Sequence, residues 1–344
     1  MRGPGVPPDT GGGGLIRVWR RLVAGAAVGS LLLALGPGMV HAQAPLQVVA
    51  TLPPIADLAA QLGGPRVAVT ALLPPRASPH GYEPRPSDLR AISRARLVIS
   101  VGAGLDTWLE PLLAVAREAR HLELAETTVL LPSPASEPEQ GGGTPPHLGG
   151  DHDGGDATDH GAHDHRHGPW DPHVWLDPIR VRDDLLPAMA RKLAALDPAG
   201  AAGYMANLAA LQARLTELDE EIRELLAPYA GSRFVAVHSA WRYFAARYGL
   251  EQAGSLQEFP GREPGAAWMA ALITLARQTG VRVVVTEAQF DPRLAQQVAR
   301  EIGVPVVPLD PLGGPGVKGM ESYPAMIRTN ASRLKEALGG WNGQ

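Results

Sequence analysis

The chain has 344 residues, a length typical of two domains of about 150 residues each. Hydrophobic residues make up 45% of it, which is ample for ordinary apolar cores, and the formal net charge of −4 provides no basic excess for nucleic-acid binding. There is no cysteine, which excludes disulfides, thiolate nucleophiles, cysteine-containing zinc fingers and a lipidated cysteine anchor. Any metal site must therefore use histidines and carboxylates.

Residues 1–44 have the pattern of an export signal. Arginines, including Arg20 and Arg21, precede an apolar run at 22–35, and Ala42-Gln43-Ala44 fits an A-x-A cleavage site. A transmembrane anchor is the alternative, but a run of about 14 residues is shorter than the roughly 20 needed to span a bilayer. We therefore expect a cleaved signal peptide and a periplasmic, non-lipidated mature protein. The arginine pair leaves Sec and twin-arginine export both open.

Short apolar runs alternate with helical segments in the first part of the mature chain. The predicted order is strand 46–50, helix 55–62, strand 67–73, helix 86–95, strand 97–101, and helix 105–120 interrupted by Pro111. This alternation predicts a parallel sheet with flanking helices, so we assign residues 45–197 to an N-terminal α/β lobe. Within it, Pro, Gly, Asp, Glu and His dominate residues 133–168, which predicts a disordered or mobile surface loop.

A helix at 179–196 is followed by a longer one, which we assign to residues 198–228. Its apolar residues recur three and four positions apart, at Leu208, Leu211, Leu215, Leu218, Ile222 and Leu225. At about 1.5 Å per residue, the 29 residues from Pro198 to Leu226 would reach roughly 43 Å, enough to link two domains. A coiled coil with a partner is the alternative, although the stripe is short for one.

The α/β alternation then restarts. The predicted order is strand 234–237, helix 241–248, helix 266–279, strand 281–286, helix 292–302, strand 304–309 and helix 323–338. We assign residues 229–344 to a C-terminal α/β lobe. The predicted fold is therefore α/β, with two parallel-sheet lobes joined by one long rigid helix.

Four histidines lie outside the export signal and the polar loop, and three of them, His80, His173 and His238, occupy predicted element ends or Pro-flanked segments. Asp310 directly follows a predicted strand. Open α/β sheets bind ligands beyond the carboxyl ends of their strands. Three imidazoles and a carboxylate suit tetrahedral Zn²⁺, whereas Mn²⁺ favours more carboxylate oxygen. A lone histidine is more often structural, and spacing alone does not decide; we interpret His121 as a surface or structural residue.

Four segments resemble the zinc/manganese substrate-binding proteins of ABC transporters: SPHGYEPRPSDLRAISRARLVISVGAGLDTWLEP, DPHVWLDP, VHSAWRYFAARYGL and VVVTEAQFDPRLAQQVAREIGVPVVPLDPLG. They have the family's order and spacing and are distributed over most of the mature chain, from residue 78 to residue 313. The resemblance implies a metal in the cleft between the lobes, with His80, His173, His238 and Asp310 as ligands. It also implies that His238 favours zinc, because manganese-type members typically carry glutamate there. Pro79 stands where some zinc members have an acidic residue.

The resemblance implies a non-enzymatic carrier that captures Zn²⁺ and delivers it to the membrane permease of an ABC importer. We expect this carrier to be a monomer. Manganese carriage on the same fold and an adhesin role remain open. A zinc hydrolase is a further alternative, since three histidines and a carboxylate can hold a catalytic ion if one position stays open. The chain has no HExxH or HxHxDH motif and no evident general base beside the proposed ligands.

The polar loop carries six histidines, and zinc-type relatives have comparable insertions. They are His147, His152, His160, His163, His165 and His167. One interpretation is weak capture of zinc at several sites or sensing of zinc supply, with none of the six in the primary site. The alternative is a solvated polar tract with incidental metal affinity.

Three acidic residues near the proposed ligands have two interpretations each. Asp171 either orients His173 as an outer acceptor or forms an Asp-Pro turn. Glu287 and Asp291 could support the site from outside the ligand set, although helix capping accounts for Asp291, which precedes Pro292. Gly102-Ala103-Gly104 lacks the third glycine of a dinucleotide-binding motif, so nucleotide binding is not expected.

Overall fold

The computed structural model describes residues 1–3, 5, 44–133, 168–257 and 264–340. The chain divides into two units, Met1–Ala44 and Pro45–Gln344, and all the described helices and strands belong to the second. The predicted apolar run of the export signal and the six loop histidines lie outside the described residues. Among the residues that are described, no helix has both the length and the hydropathy to cross a membrane.

Two four-stranded parallel sheets form the framework. The first has the order β2-β1-β3-β4, with β1 Leu46–Ala50, β2 Val67–Ala71, β3 Leu97–Ser100 and β4 Arg120–Glu123. The second has the order β6-β5-β7-β8, with β5 Arg233–Ala236, β6 Glu251–Ser255, β7 Val281–Glu287 and β8 Val306–Leu309. The central strands are nearly continuous apolar runs because both faces of each sheet are covered.

Helices connect and cover these strands. In the first half they are α1 Pro53–Gly63, α2 Pro86–Arg94, α3 Glu110–Val115, the short α4 Pro178–Arg180 and α5 Leu186–Leu196, with one π-helical turn, Val181–Leu185, before α5. The long helix α6 is Ala201–Leu226, and α7 Arg242–Arg247, α8 Ala266–Gln278, α9 Pro292–Ile302 and α10 Tyr323–Gly339 follow. Several begin with proline, whose fixed φ suits the first helical turn.

Both ends of α9 illustrate how local sequence sets these boundaries. The side chain of Asp291 accepts a hydrogen bond from the backbone N–H of Arg293 and so caps the helix, as the capping interpretation predicted. Gly303 ends the helix with φ of 85°, a left-handed conformation that favours glycine. A strand then starts within a few residues.

The predicted fold, two parallel-sheet lobes and a long helix, is confirmed. Two strands were not predicted, β4 and β6. Each pairs with a single neighbour at the edge of its sheet, and their sequences RHLE and EQAGS lack the apolar run that marks a doubly covered strand. The predicted helix 105–120 was too long, because α3 ends at Val115 and the chain enters β4 at Arg120.

The long helix has the predicted apolar stripe on its buried side. Leu208, Leu211, Leu215, Leu218 and Ile222 are buried. The stripe then continues to Leu226, four positions on, and the predicted Leu225 is only partly buried. At 26 residues and about 1.5 Å per residue, α6 is roughly 39 Å long.

One apolar core is shared by both halves. The cluster that surrounds α6 includes Val48 and Ala50 of β1, and also Phe234 and Ala236 of β5. The opposite faces of the sheets pack in two separate clusters, one containing Val49 and the other containing Val235 and Val284. This alternation follows from the period of two along a strand. The inner faces of both sheets are therefore joined through the same buried helices.

Candidate metal centre

The four predicted ligands lie within or next to short turns, or shortly after strands. His80 lies in the 3₁₀ turn Pro79–Gly81 after β2, and His173 directly precedes the 3₁₀ turn Val174–Leu176. His238 lies two residues beyond the end of β5, and Asp310 directly follows β8. The carboxyl ends of parallel strands share one edge of a sheet, which is where ligands bind in such folds.

The structure brings the three histidines together. One ligand atom from each of His80, His173 and His238 lies within 4.8 Å of the others. Their ring centroids are 5.2 to 5.4 Å apart, so the rings form a nearly equilateral triangle. His173 and His238 are each only 4% exposed, and His80 is partly buried. This is the one such cluster of potential metal ligands within the described residues.

The facing ring nitrogens have the separation that a metal ion requires. Nε2 of His238 lies 3.4 Å from Nε2 of His173. Two nitrogens bound at about 2.0–2.1 Å to a tetrahedral Zn²⁺ would be roughly 3.3 Å apart. The two side chains therefore need little movement to ligate one ion.

The turn that carries His80 is held by aromatic side chains. Trp108 donates its indole N–H to the carbonyl of Pro79 at 3.0 Å, and its ring lies 4.9 Å from that of Tyr82. The Tyr82 hydroxyl donates to Asp88 at 2.8 Å. Burial and this hydrogen bond raise the pKa of Tyr82 to about 12, so the hydroxyl remains a donor at neutral pH.

A buried carboxylate contacts the far nitrogen of His173. Oδ1 of Asp171 lies 2.8 Å from Nδ1 of His173 and also accepts the backbone N–H of that residue at 3.0 Å. Asp171 is 2% exposed. Both interpretations of Asp171 are observed. Its carboxylate contacts the His173 ring, and it accepts the backbone N–H two residues further along, which closes an Asp-Pro turn.

A second carboxylate lies beside His238. Oε1 of Glu287, the last residue of β7, is 2.9 Å from Nδ1 of His238. This is a close contact and not a formed hydrogen bond, since Nδ1 of His238 has no hydrogen-bond partner among the described residues. Trp241 donates its indole N–H to the same oxygen at 3.3 Å.

Asp310 is buried near the site but is not one of the clustered ligands. Its Oδ1 accepts hydrogen bonds from the side chain of Gln289 at 3.1 Å and from the backbone N–H groups of Leu312 and Gly313 at 3.0 and 3.2 Å. The side-chain amide of Asn330 makes two hydrogen bonds with the backbone of Asp310. Its oxygen accepts the N–H of Asp310, and its nitrogen donates to the carbonyl of Asp310. Sequence reasoning did not identify the role of Gln289, because nothing in TEAQFD distinguishes an inward amide from a surface one.

Apolar side chains wall the site. The cavity beside the histidines is lined by residues that include Trp175, Phe290 and Leu312. The Trp175 ring lies 5.3 Å from His173, and the Phe290 ring lies 5.1 Å from His238. Low polarity around a charged ion strengthens its attraction to the ligands. These wall residues were not predicted, because apolar residues of this kind are indistinguishable from core residues in a sequence.

His121 is remote from the cluster, as its structural interpretation predicted. It lies on the edge strand β4 rather than near a helix end, and its Nε2 is 2.7 Å from the hydroxyl of Ser100. It is absent from the cluster of potential ligands.

A model of the family described as ZnuA, zinc-uptake complex component A, periplasmic, matches residues 48–337. The chain belongs to this family. The match spans both sheets, the long helix and all four predicted ligands. It confirms the resemblance identified in the four sequence segments.

Relatives with the ZnuA name are similar over most of their length. The high-affinity zinc uptake system protein ZnuA of Paracoccus denitrificans is 33% identical, with 90% of this chain and 97% of that protein covered. The ZnuA protein of Yersinia pestis is 30% identical, with 80% of this chain and 86% of that protein covered.

Solved ZnuA structures have the same fold. A crystal structure of ZnuA is 28% identical, has a TM-score of 0.69, and covers 86% of this chain and 99% of its own. A zinc-bound ZnuA deletion mutant is 29% identical, with a TM-score of 0.69 and coverage of 87% and 99%. FpvC of Pseudomonas aeruginosa, solved with Mn²⁺, is 22% identical with a TM-score of 0.69 and coverage of 86% and 98%. This last similarity concerns the fold alone.

Proposed function

We propose that this ZnuA-family chain is a periplasmic carrier that binds one Zn²⁺ and delivers it to the permease of an ABC importer. The observation that carries the proposal is the triangle of His80, His173 and His238, contributed by three separate segments of the chain and largely buried. Neutral imidazoles are good zinc ligands. The ZnuA relatives, named as zinc-uptake proteins, support the same metal.

Asp310 is proposed as the fourth ligand. Its Oδ1 is used by three donors, including Gln289, so ligation would use Oδ2 or displace the amide of Gln289. A carboxylate in the fourth position would close the tetrahedron and leave no place for a substrate. A closed site suits a carrier better than a hydrolase, which needs an open position.

The choice of zinc over manganese rests on the donor set. Three nitrogen ligands with at most one carboxylate suit Zn²⁺, whereas Mn²⁺ favours more oxygen ligands. His238 is the residue that makes the difference, because glutamate there would give a mixed nitrogen and oxygen site. Manganese carriage is the second candidate on the same fold.

The six histidines of the polar loop are proposed as weaker, separate zinc sites. They are His147, His152, His160, His163, His165 and His167. Histidines this close in sequence can hold a metal ion at low affinity without a packed framework around them. We expect removal of residues 144–167 to leave the primary site intact.

The experiment is a zinc titration by calorimetry with chelator competition, in the full chain and after excision of residues 144–167. The parent in both backgrounds should bind one Zn²⁺ tightly, more tightly than Mn²⁺, and excision should remove only weak binding. In the excised background, His173→Ala should weaken the tight site by at least about 100-fold, because a four-coordinate ion loses one ligand. His121→Ala is the matched control and should leave it unchanged.

Three results would contradict the proposal. Tight binding retained in His173→Ala would show that the histidine triangle is not the site. Loss of the tight site on excision would move it into the polar loop. Hydrolysis of ester, peptide or lactam substrates that rises and falls with zinc occupancy would favour the hydrolase.

A further inference from the structure

Two of the three clustered histidines have a buried carboxylate at the ring nitrogen that faces away from the cluster. Asp171 lies 2.8 Å from Nδ1 of His173, and Glu287 lies 2.9 Å from Nδ1 of His238. Both carboxylates are 2% exposed. The two acids come from different halves of the chain, since Asp171 precedes α4 and Glu287 ends β7.

A carboxylate at Nδ1 influences where an imidazole carries its proton. Asp171 forms a hydrogen bond with Nδ1 of His173, and Glu287 lies within hydrogen-bond distance of Nδ1 of His238 without a formed bond. A neutral imidazole has one N–H and one lone pair, and an acceptor at Nδ1 favours the tautomer with the proton at Nδ1. In that tautomer both Nε2 atoms present lone pairs. They lie 3.4 Å apart, a contact in which one Nε2 donates to the other if either ring holds its proton at Nε2. With both protons at Nδ1 the two lone pairs face each other, and a cation between them removes their repulsion. The two acids thus favour the protonation state that a metal ion needs.

The protein backbone holds Asp171 in place. Its backbone N–H donates to the carbonyl of Leu131 at 2.8 Å, and its carbonyl accepts the hydroxyl of Tyr243 at 2.9 Å. Tyr243 lies on α7, in the other half of the chain, and also accepts the backbone N–H of Leu131 at 2.8 Å. Residues from both halves of the chain therefore hold the backbone of Asp171, from which its side chain extends.

Glu287 is held by the sheet and by an indole. It is the last residue of β7 and pairs with Leu309 of β8, and the indole N–H of Trp241 donates to its Oε1 at 3.3 Å. Oε2 of Glu287 and Oδ2 of Asp171 have no hydrogen-bond partner among the described residues. A buried carboxylate oxygen without a donor is costly, and a dication nearby offsets that cost.

We propose that Asp171 and Glu287 are positioning residues for the zinc site, each fixing the tautomer and ring orientation of one histidine ligand. The inference rests on the proposed function, because it assigns these acids a role toward the ion that His173 and His238 bind. Loss of such outer groups typically lowers metal affinity by about 10- to 100-fold. Alanine should therefore cost affinity at either position.

The conservative variants separate orientation from stability. In Asp171→Asn and Glu287→Gln the amide oxygen can still accept from Nδ1–H, so both should recover most of the affinity lost in Asp171→Ala and Glu287→Ala. Asp197→Asn is the matched control. Asp197 is also a buried acid, 8% exposed, but it bonds to Arg66 and Tyr204 instead of a histidine.

The measurements are zinc affinity by chelator competition, the visible absorption spectrum of the Co²⁺-loaded protein, and the melting temperature of the metal-free protein, all in the full-length chain. The alanine variants should lose affinity and shift the Co²⁺ bands, because the imidazoles reorient, while Asp197→Asn should leave affinity and spectrum unchanged. Recovery of both in the amide variants supports positioning.

The outcomes distinguish this inference from the proposed function. If Asp171→Ala and Glu287→Ala keep parental affinity and the parental Co²⁺ spectrum while His173→Ala loses zinc, the acids are structural and the inference fails alone. The inference also fails if the alanine variants have unshifted Co²⁺ bands and their loss of zinc affinity is accounted for by the fall in the melting temperature of the metal-free protein. If the parent chain binds no zinc tightly, the proposed function itself fails.

Discussion

The carboxylate of Asp310 has two functions to reconcile, the hydrogen bonds that hold a loop and the proposed ligation of the metal. Its Oδ1 holds the loop after β8 through the backbone N–H groups of Leu312 and Gly313, and the same oxygen accepts the amide of Gln289. A metal ion would compete for this charge. Whether the site has three protein ligands or four depends on this single side chain.

Asp310→Asn should separate loop hydrogen bonding from metal ligation. The asparagine oxygen can still accept from the loop N–H groups, so the loop should stay in place, but a neutral amide is a much poorer zinc ligand than a carboxylate. We expect zinc affinity to fall by about 100-fold or more with little change in the melting temperature of the metal-free protein. Chelator competition and thermal denaturation test this, and parental affinity in Asp310→Asn would leave Asp310 with only its loop contacts.

At the scale of elements, an ion pair joins the start of β2 to the turn before the long helix. Arg66 makes two hydrogen bonds with Asp197, each 2.8 Å, and the hydroxyl of Tyr204 on α6 donates to the same carboxylate. The guanidinium of Arg66, followed by the Tyr204 hydroxyl, lowers the pKa of Asp197 to about 2. This pair fixes the N-terminal end of α6 against the first sheet.

The pH dependence of stability follows from the direction of that shift. A carboxylate whose pKa is lower in the folded state stabilises the fold above its ordinary pKa of 3.8, and this contribution disappears as the pH falls toward 2. The difference in melting temperature between the parent and Asp197→Asn should therefore be largest near neutral pH and vanish by about pH 2. Thermal melts across this range should show it. Glu217→Gln, on the exposed side of α6, is the control, and parallel curves for parent and Asp197→Asn would contradict the prediction.

The sequence predicted the elements with an apolar signature and missed those without one. The central strands and α9 could be located from runs and periodicity, whereas the edge strands β4 and β6 owe their conformation to a single neighbouring strand. The same division holds at the site. Predicted element ends and Pro-flanked segments, with the family resemblance, pointed to His80, His173 and His238. The contacts of Gln289 with Asp310 depend on side-chain directions that no local pattern records.

At the scale of the whole molecule, both halves contribute to one apolar core. The inner faces of both sheets belong to a single cluster built around α6. Trp175, beside His173, donates its indole N–H to the carbonyl of Pro311 at 2.7 Å, and Tyr323 donates to the carbonyl of Trp175. Buried hydrogen bonds thus accompany the shared apolar core.

Leu215→Ala should therefore destabilise both halves together. Leu215 is fully buried in the middle of α6, and truncating a buried leucine costs about 2–5 kcal/mol. Far-UV circular dichroism and tryptophan fluorescence should report one coincident denaturant transition, shifted to lower denaturant. Met205→Ala, on the same helix at 49% exposure, should change stability by no more than about 0.5 kcal/mol. Two separated transitions in the parent would indicate independent lobes.

The spacing of the ligands along the chain has a consequence for when zinc can bind. His173 and His238 are 65 residues apart. Bringing them together in an unfolded chain costs loop-closure entropy, whereas in the folded chain they are already together. The unfolded polypeptide is therefore a poor ligand at these positions, and zinc there stabilises the folded state by mass action. The six loop histidines are near neighbours in sequence, so they should bind zinc similarly whether or not the chain is folded. If the proposed ligands are correct, zinc at the triangle should raise the melting temperature and zinc on the loop should not. A chain exported unfolded would then load its primary site only after it has folded.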